Sequence, residues 1–163
     1  MAVQDQSRAR AIKITLRRHA PSDFETLYEI DQACYEPAIA YSRRELRNYL
    51  RFPGAECIVA EAKENAERKI VGFIVAAHEN YWGYIITIDV VSAYRRRGVG
   101  SMMLEEIERR LAASGVREVA LETATDNASA IAFWERHGYR KRGLKKDYYP
   151  NHRDAFAMTK RLT

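Results

Sequence analysis

Apolar and polar residues alternate over Ala11 to Arg18, with Ile12, Ile14 and Leu16 set against Lys13, Thr15 and Arg17. A period of two puts each set on one face, so this segment is expected to be a half-buried strand. Pro21-Ser22-Asp23 opens a segment in which Phe24, Leu27, Tyr28 and Ile30 fall at helical spacing. Cys34 to Tyr41, with Pro37, reads as a loop. Ser42-x-x-Glu45 is the expected capping box of a second helix, ended by Pro53-Gly54. Cys57 to Ala60, Lys69 to His78 and Gly83 to Val91 read as strands, with turns at Lys63 to Arg68 and Glu79 to Gly83. Gly98 to Ala113 is an amphipathic helix with Met102, Met103, Ile107 and Leu111 as its expected inner stripe, closed by Gly115. Val116 to Leu121 reads as a strand, Asn127 to His137 as a helix closed by Gly138, and Tyr139 to Lys146 with Ala155 to Leu162 as a final antiparallel pair. The expected order is β-α-α-β-β-β-α-β-α-β-β. Its central strand-helix-strand unit favours a parallel crossover, and the other pairings read as antiparallel, which gives a mixed α/β sheet.

The chain has 163 residues, which suits a single domain over residues 11–163 behind a flexible basic tail at residues 1–10. Apolar runs such as Gly72 to Ala77 are too short to span a bilayer, so no membrane partner is expected. The polar start from Met1 to Arg10 lacks the apolar stretch of a secretory signal, and a cytoplasmic location is expected. Cys34 and Cys57 have no metal-ligand spacing and read as free thiols, so no metal is expected. A formal net charge of +5 points to an anionic partner, either nucleic acid or a phosphorylated cofactor.

The segment Tyr94-Arg95-Arg96-Arg97-Gly98-Val99-Gly100-Ser101 separates these two. It joins an apolar strand to a long helix. A helix start offers unpaired N–H groups and a positive dipole end, and glycine lets a phosphate approach the main chain. The arginines gather at that one point without interleaved stacking aromatics, which favours a cofactor phosphate over nucleic acid. No Gly-Lys-Ser/Thr follows, so it is not a Walker loop, and Gly-x-Gly-x-x-Gly is incomplete.

Arg95-x-x-Gly98-x-Gly100 resembles motif A of the GNAT (Gcn5-related) N-acetyltransferases. A second signature of that family, Asn-x-x-Ala-x-x-x-Tyr-x-x-x-Gly-Phe, is matched by Asn127, Ala130, Trp134, Gly138 and Tyr139, with tryptophan in place of tyrosine. The resemblance runs from Ile12 to the C-terminus. It implies the GNAT fold, an α/β (α+β) arrangement. In it, about four helices flank a mixed, mostly antiparallel sheet of about seven strands with one splayed parallel pair. It implies acetyl-coenzyme A as co-substrate. Ile88, Asp89 and Val90 would pair with the pantetheine arm through their main chain. Arg96, Arg97, Gly98, Val99, Gly100 and Ser101 would hold the pyrophosphate. Asn127 would contact the arm while also capping its helix, and Trp134 would pack against pantetheine.

Acetyl transfer to an amine needs a proton acceptor, a polarised thioester and a proton for the departing thiolate. Glu122 matches the general-base glutamate of the ribosomal-protein alanine N-acetyltransferases (the RimI type), and Tyr84 aligns with a tyrosine used as a base by some relatives. Trp134 cannot practically deliver a proton, which leaves Tyr139, Tyr148, Tyr149, water or an unassisted thiolate. Asp147-Tyr148-Tyr149-Pro150 resembles a segment that binds the peptide backbone in RimI-type enzymes. Tyr35-Glu36-Pro37 resembles the loop that forms the pocket for the first residue. Tyr35, Pro37, Tyr148 and Tyr149 are therefore the expected acceptor-binding residues, with glutamate replacing the usual phenylalanine at Glu36. The implied acceptor is a protein or peptide N-terminus, a ribosomal protein among them, served by a monomer or weak dimer. The alternatives are a small-molecule amine, a lysine side chain, or coenzyme A binding without catalysis.

Overall fold

A computed structural model describes residues 12–163. The expected tail at residues 1–10 and the first residue of the first strand lie outside the described residues. The elements run β1 (Lys13–Arg18), α1 (Phe24–Cys34), α2 (Arg43–Arg51), β2 (Glu56–Glu64), β3 (Glu67–Glu79), β4 (Trp82–Val90), α3 (Val99–Ala113), β5 (Glu118–Ala124), α4 (Ala128–Arg136), β6 (Arg140–Lys145) and β7 (Ala155–Arg161). This is the expected order. The seven strands form one sheet, β1-β2-β3-β4-β5-β7-β6, and only β4–β5 is parallel.

Burial explains the strand patterns. In β2 and β3, Ile58, Val59, Ala60 and the run Phe73 to Ala76 are all 0% exposed, because helices cover both sheet faces there. Such strands read as continuous apolar runs. One face packs Ile58, Ile74, Ile85 and Leu121 against Met103, Leu104, Ile107 and Leu111 of α3. The other packs Val59, Phe73 and Val75 against Leu27 and Ile30 of α1 and Leu46 of α2. Each such fully buried aliphatic side chain contributes about 1.5–3 kcal/mol. The strand β6, RKRGLK, is exposed along its whole length. Its cations suit a sheet edge, where charge discourages pairing with another chain.

Several expectations change. The stretch Lys63 to Arg68 is mostly strand; only Asn65 and Ala66 have the positive φ of a tight turn. Its charges had read as loop, but both faces of that hairpin end are exposed, so no apolar alternation marks it. Met102 is 38% exposed and Leu104 takes its place on the inner stripe. Strand β5 runs on to Ala124, past Leu121, so Glu122 sits within it. The capping box is present: the Ser42 hydroxyl accepts from the Glu45 N–H at 3.1 Å, and Glu45 accepts from the Ser42 N–H at 3.1 Å.

Candidate functional site

The parallel strands β4 and β5 pair only from Trp82↔Glu118 to Tyr84↔Ala120. Beyond that they part: β4 follows β3 and β5 follows β7. The cause is local. Ile86 is an extra residue in β4, since Val75 faces Thr87 while Ala76 faces Ile85. A bulge of this kind bends its strand. The result is a V-shaped gap with an unpaired edge of β4 on one side.

That edge is held from the α1–α2 side. The Tyr41 hydroxyl donates to the Ile86 carbonyl at 3.3 Å, and the Tyr35 hydroxyl donates to the Ile88 carbonyl at 3.3 Å. Arg95 Nε donates to the Val90 carbonyl at 3.0 Å. Alternate main-chain groups, at 86, 88 and 90, therefore point away from β3. Ile88 and Val90 turn their main chain toward the gap. Asp89 is out of phase by one and turns its main chain to Phe73 of β3. Its side chain is 1% exposed and accepts from Thr87 Oγ1 at 2.7 Å.

At the end of β4 the chain makes a 3₁₀ turn, Ser92–Tyr94, and then the loop to α3. Arg96 and Gly98 have φ of 61° and 81°. No side chain caps α3, and the first backbone bond into the helix start is Met102 N–H to the Gly98 carbonyl at 3.0 Å. The N–H groups of Val99, Gly100 and Ser101 are thus left for an anion. A Cβ on Gly98 would meet nothing within 4 Å, so the space over this helix start is open. Arg96 and Arg97 are exposed beside it, with the Arg97 guanidinium 5.3 Å from the centre of the Tyr94 ring. Arg95 points to the other face, toward Cys34. The Ser101 hydroxyl is bound to His137 Nε2 at 2.9 Å, which ties α3 to the end of α4. Burial lowers the His137 pKa.

At the mouth of the gap, Glu122 lies two residues past Ala120, the last residue of β5 paired to β4. Its side chain is 8% exposed. The Tyr84 hydroxyl donates to Glu122 Oε2, and the Tyr148 hydroxyl lies 3.4 Å from both Glu122 Oε2 and the Tyr84 hydroxyl. Lys145 Nζ donates to Glu122 Oε1 at 2.5 Å. Tyr148 and Tyr149 stack edge to face, 4.9 Å between ring centres. Burial and then Glu122 raise both phenols, Tyr149 to about 12. The α1–α2 loop meets the β6–β7 loop across this mouth, where Glu36 pairs with Arg153 at 2.7 Å. Pro37 is exposed beside Glu36.

The expected residues divide accordingly. Tyr84, Glu122, Tyr148 and Tyr149 come together. Asn127 caps α4, accepting from the Ala130 N–H at 3.1 Å. Two placements are corrections. The Tyr35 hydroxyl does not flank an open groove; it lies under β4 against Thr87 and Ile88, and burial raises its pKa well above the usual phenol value. Trp134 is 5% exposed and packs edge-on to Phe133 and Tyr139, so it is a core residue here. It is Phe133 that lines the loop, 3.3 Å from where a Cβ on Gly100 would stand. Tyr139 is buried at 1% exposure against Trp134 and Lys160, and Tyr148 is the hydroxyl of the expected substitutes beside the Glu122 carboxylate. Lys145 and Arg153 carried no sequence signal, because only the pairing of β7 with β5 brings their loop to the gap. A surface cavity of about 640 Å³, lined by residues that include Arg17, Cys34, Arg68 and Arg95, lies on the α1 side and contains none of the Glu122 cluster. Among the described residues no cluster has metal-ligand character, and no helix is long and apolar enough to cross a membrane.

Comparison with known proteins agrees with this geometry. N-alpha-acetyltransferase MAK3 of Arabidopsis thaliana is 30% identical over 129 residues, 79% of this chain and 66% of the relative. The [ribosomal protein bS18]-alanine N-acetyltransferase of Salmonella typhimurium is 36% identical over 77 residues, 45% of this chain and 52% of the relative. The chain thus spans no more than about two thirds of the length of these relatives. Among solved structures, the NatC complex bound to Gag peptide and CoA matches with a TM-score of 0.81 at 25% identity, over 93% of this chain and 99% of that one. The ribosomal-protein-S18-alanine N-acetyltransferase of Escherichia coli has the same fold, with a TM-score of 0.80 at 23% identity over 93% and 95% of the two chains. The family model described as Acetyltransferase (GNAT) family matches residues 24–139, the stretch that holds the gap, the loop into α3 and Glu122, and the chain belongs to that family.

Proposed function

We propose that this protein transfers the acetyl group of acetyl-coenzyme A to the N-terminal α-amine of a protein or peptide, by direct attack in a ternary complex. The observation that carries this reading is the cluster of Glu122, Tyr84 and Tyr148 at the mouth of the gap, with the open helix start of α3 at its other end. The residues fit the donor. The N–H groups of Val99, Gly100 and Ser101, with Arg96 and Arg97 beside them, suit a pyrophosphate. The edge at Ile88 and Val90, with no strand paired to it, suits an amide-bearing arm laid along it as a further strand.

Glu122 accepts a proton from the incoming ammonium. The amine nitrogen then bonds to the thioester carbonyl carbon, the carbon–sulfur bond breaks, and the second proton that the nitrogen sheds passes to water. The Tyr148 hydroxyl beside Glu122, held protonated by burial and by that carboxylate, is the donor this arrangement offers the thiolate. It regains a proton through Glu122, directly or through Tyr84, with which both are in contact. Trp134, sequestered in the core, takes no part. The mouth is bounded by Tyr148, Tyr149 and the Glu36–Arg153 pair, phenols and a charged pair that suit a peptide main chain. The names and contents of MAK3, the bS18-alanine enzymes and the NatC–peptide complex point the same way, and a ribosomal protein is one candidate acceptor.

The test is acetyl transfer to arrayed peptides with free and blocked N-termini, by the wild type and Glu122→Gln. Free N-termini alone should be acetylated. The variant should lose roughly 10²–10⁴-fold in turnover with unchanged acetyl-coenzyme A affinity by calorimetry. Signal that survives N-terminal blocking rejects the α-amine, and unchanged turnover across pH removes Glu122 from the reaction.

A further inference from the structure

The Glu122 carboxylate already has an ammonium on it. Lys145 closes β6, and its Nζ donates to Glu122 Oε1 at 2.5 Å. The same Nζ stands 5.5 Å from the centre of the Tyr148 ring. The Lys145 side chain is 48% exposed, whereas that of Glu122 is only 8% exposed, so the lysine reaches inward from solvent to a largely enclosed carboxylate. Glu122 is two residues from the point where β4 and β5 part. A primary amine, a proton acceptor and two tyrosine hydroxyls are therefore assembled at the mouth of the gap within one chain. This is the set of groups that an external acceptor would complete.

Other lysines lack this arrangement. Lys141 pairs with Glu135 at 3.9 Å on the exposed surface, and Lys160 pairs with Glu108 at 2.7 Å under α3. Lys146 follows Lys145 directly and is exposed, with no recorded contact to Glu122. These three are internal controls for general chemical reactivity.

Resting on the donor and base assigned above, we propose that Lys145 is a self-acetylation site, the lysine amine standing in for the acceptor at Glu122. Lys145 Nζ gives a proton to Glu122, and its lone pair bonds to the thioester carbonyl carbon. The carbon–sulfur bond breaks, and the thiolate takes up one proton. The products are an acetylated Lys145, coenzyme A thiol and one proton released to water. The tether holds the amine near the carboxylate at all times, so the step needs no second molecule of protein. The product is a neutral amide that no longer pairs with Glu122, which leaves the carboxylate free for an external ammonium.

The experiment incubates the purified protein with acetyl-coenzyme A and follows acetylation of each lysine by digestion and mass spectrometry, beside the peptide array described above. Lys145 should acquire acetyl at least about tenfold faster than Lys141, Lys146 and Lys160, as expected of a positioned amine. The fraction modified per minute should not change on tenfold dilution of the protein, the best acceptor peptide of the array should slow it, and Glu122→Gln should abolish it. Peptide acetylation with Lys145 unmodified, or modified no faster than the other three lysines, overturns the inference and leaves the peptide activity standing. Lys145 modification that persists in Glu122→Gln also overturns it, as unassisted chemistry. Absence of both reactions overturns the inference together with the function it rests on.

Discussion

Asp31 of α1 and Asp89 of β4 are 0% and 1% exposed, and they face each other beneath the edge strand of the gap. Asp31 Oδ2 accepts from the Tyr41 N–H at 2.8 Å, and Asp89 Oδ1 accepts from Thr87 at 2.7 Å. The remaining oxygens, Asp31 Oδ1 and Asp89 Oδ2, have no donor among the described residues. Two buried carboxylates placed together disfavour double ionisation, so a proton shared between them is the expected state. Burial first, and the neighbouring Asp31 second, push the Asp89 carboxyl well above the usual range; burial likewise raises Asp31. Tyr35, Cys34, Cys57, Glu45 and Tyr41 are the other titratable groups that interact with the pair, and Arg95 approaches through Cys34. In the unfolded chain both carboxyls titrate near about 3.9. Above that value folding takes up a proton, so stability falls as pH rises, by about 1.4 kcal/mol per pH unit for one proton, until the raised value is passed. Asp89→Asn replaces the shared proton with an amide N–H that donates to Asp31. Its unfolding free energy should gain on the wild type by about 1.4 kcal/mol for each unit of pH above about 5 over that window. Urea unfolding of both proteins at unit steps from pH 5 to pH 8 measures the difference. His19 and His137, whose pKa values burial lowers, add stability as pH rises toward about 6.5. They do so in both proteins and cancel in the difference. Asp23 and Glu106, lowered by their arginine partners, have finished titrating below this range. Parallel curves for wild type and variant would refute the shared proton.

Gly98→Ala forces φ 81° on a residue with a Cβ and should cost about 1–2 kcal/mol of stability. The added methyl also enters the open space over the start of α3, so calorimetry should show weaker acetyl-coenzyme A binding than that loss explains. Gly72→Ala places a Cβ 2.7 Å from the Asp89 carbonyl, where β3 and β4 must separate to admit it, and should cost about 1–3 kcal/mol in thermal unfolding. Arg153→Ala breaks the contact with Glu36 across the mouth; an exposed pair of this kind holds about 0–1 kcal/mol, so peptide KM should rise while stability and turnover stay near wild type.

Much of the site was legible along the chain because its parts are contiguous. Arg96 to Ser101 form one strand-to-helix junction, and the Asn127 cap needs only Ala130. The same holds for the Ser42–Glu45 box. The order of elements followed from local periods of two and 3.6, which survive without knowledge of partners. Failures fall where direction depends on a distant surface. Tyr35 lies in a loop that resembles the pocket for the first acceptor residue, yet its hydroxyl meets the Ile88 carbonyl of the edge strand. Trp134 occupies a tyrosine's place in the motif, but the closeness of Phe133, Tyr139 and α3 takes the indole into the core.

The sequence by itself determined the succession of strands and helices, the glycine-opened start of α3 with its arginines, and the carboxylate at 122, since each depends on residues within a few turns of one another. Tertiary structure alone decided that β4 and β5 part after Tyr84 and Ala120, that Asp31 meets Asp89, and that β7 enters the sheet beside β5. The last of these brings Lys145 and Tyr148 to Glu122 across 23 and 26 positions of chain. The physical reason is that sheet register and the packing of two helical layers set side-chain direction, and both are settled by burial of apolar surface far along the chain, which no local pattern records.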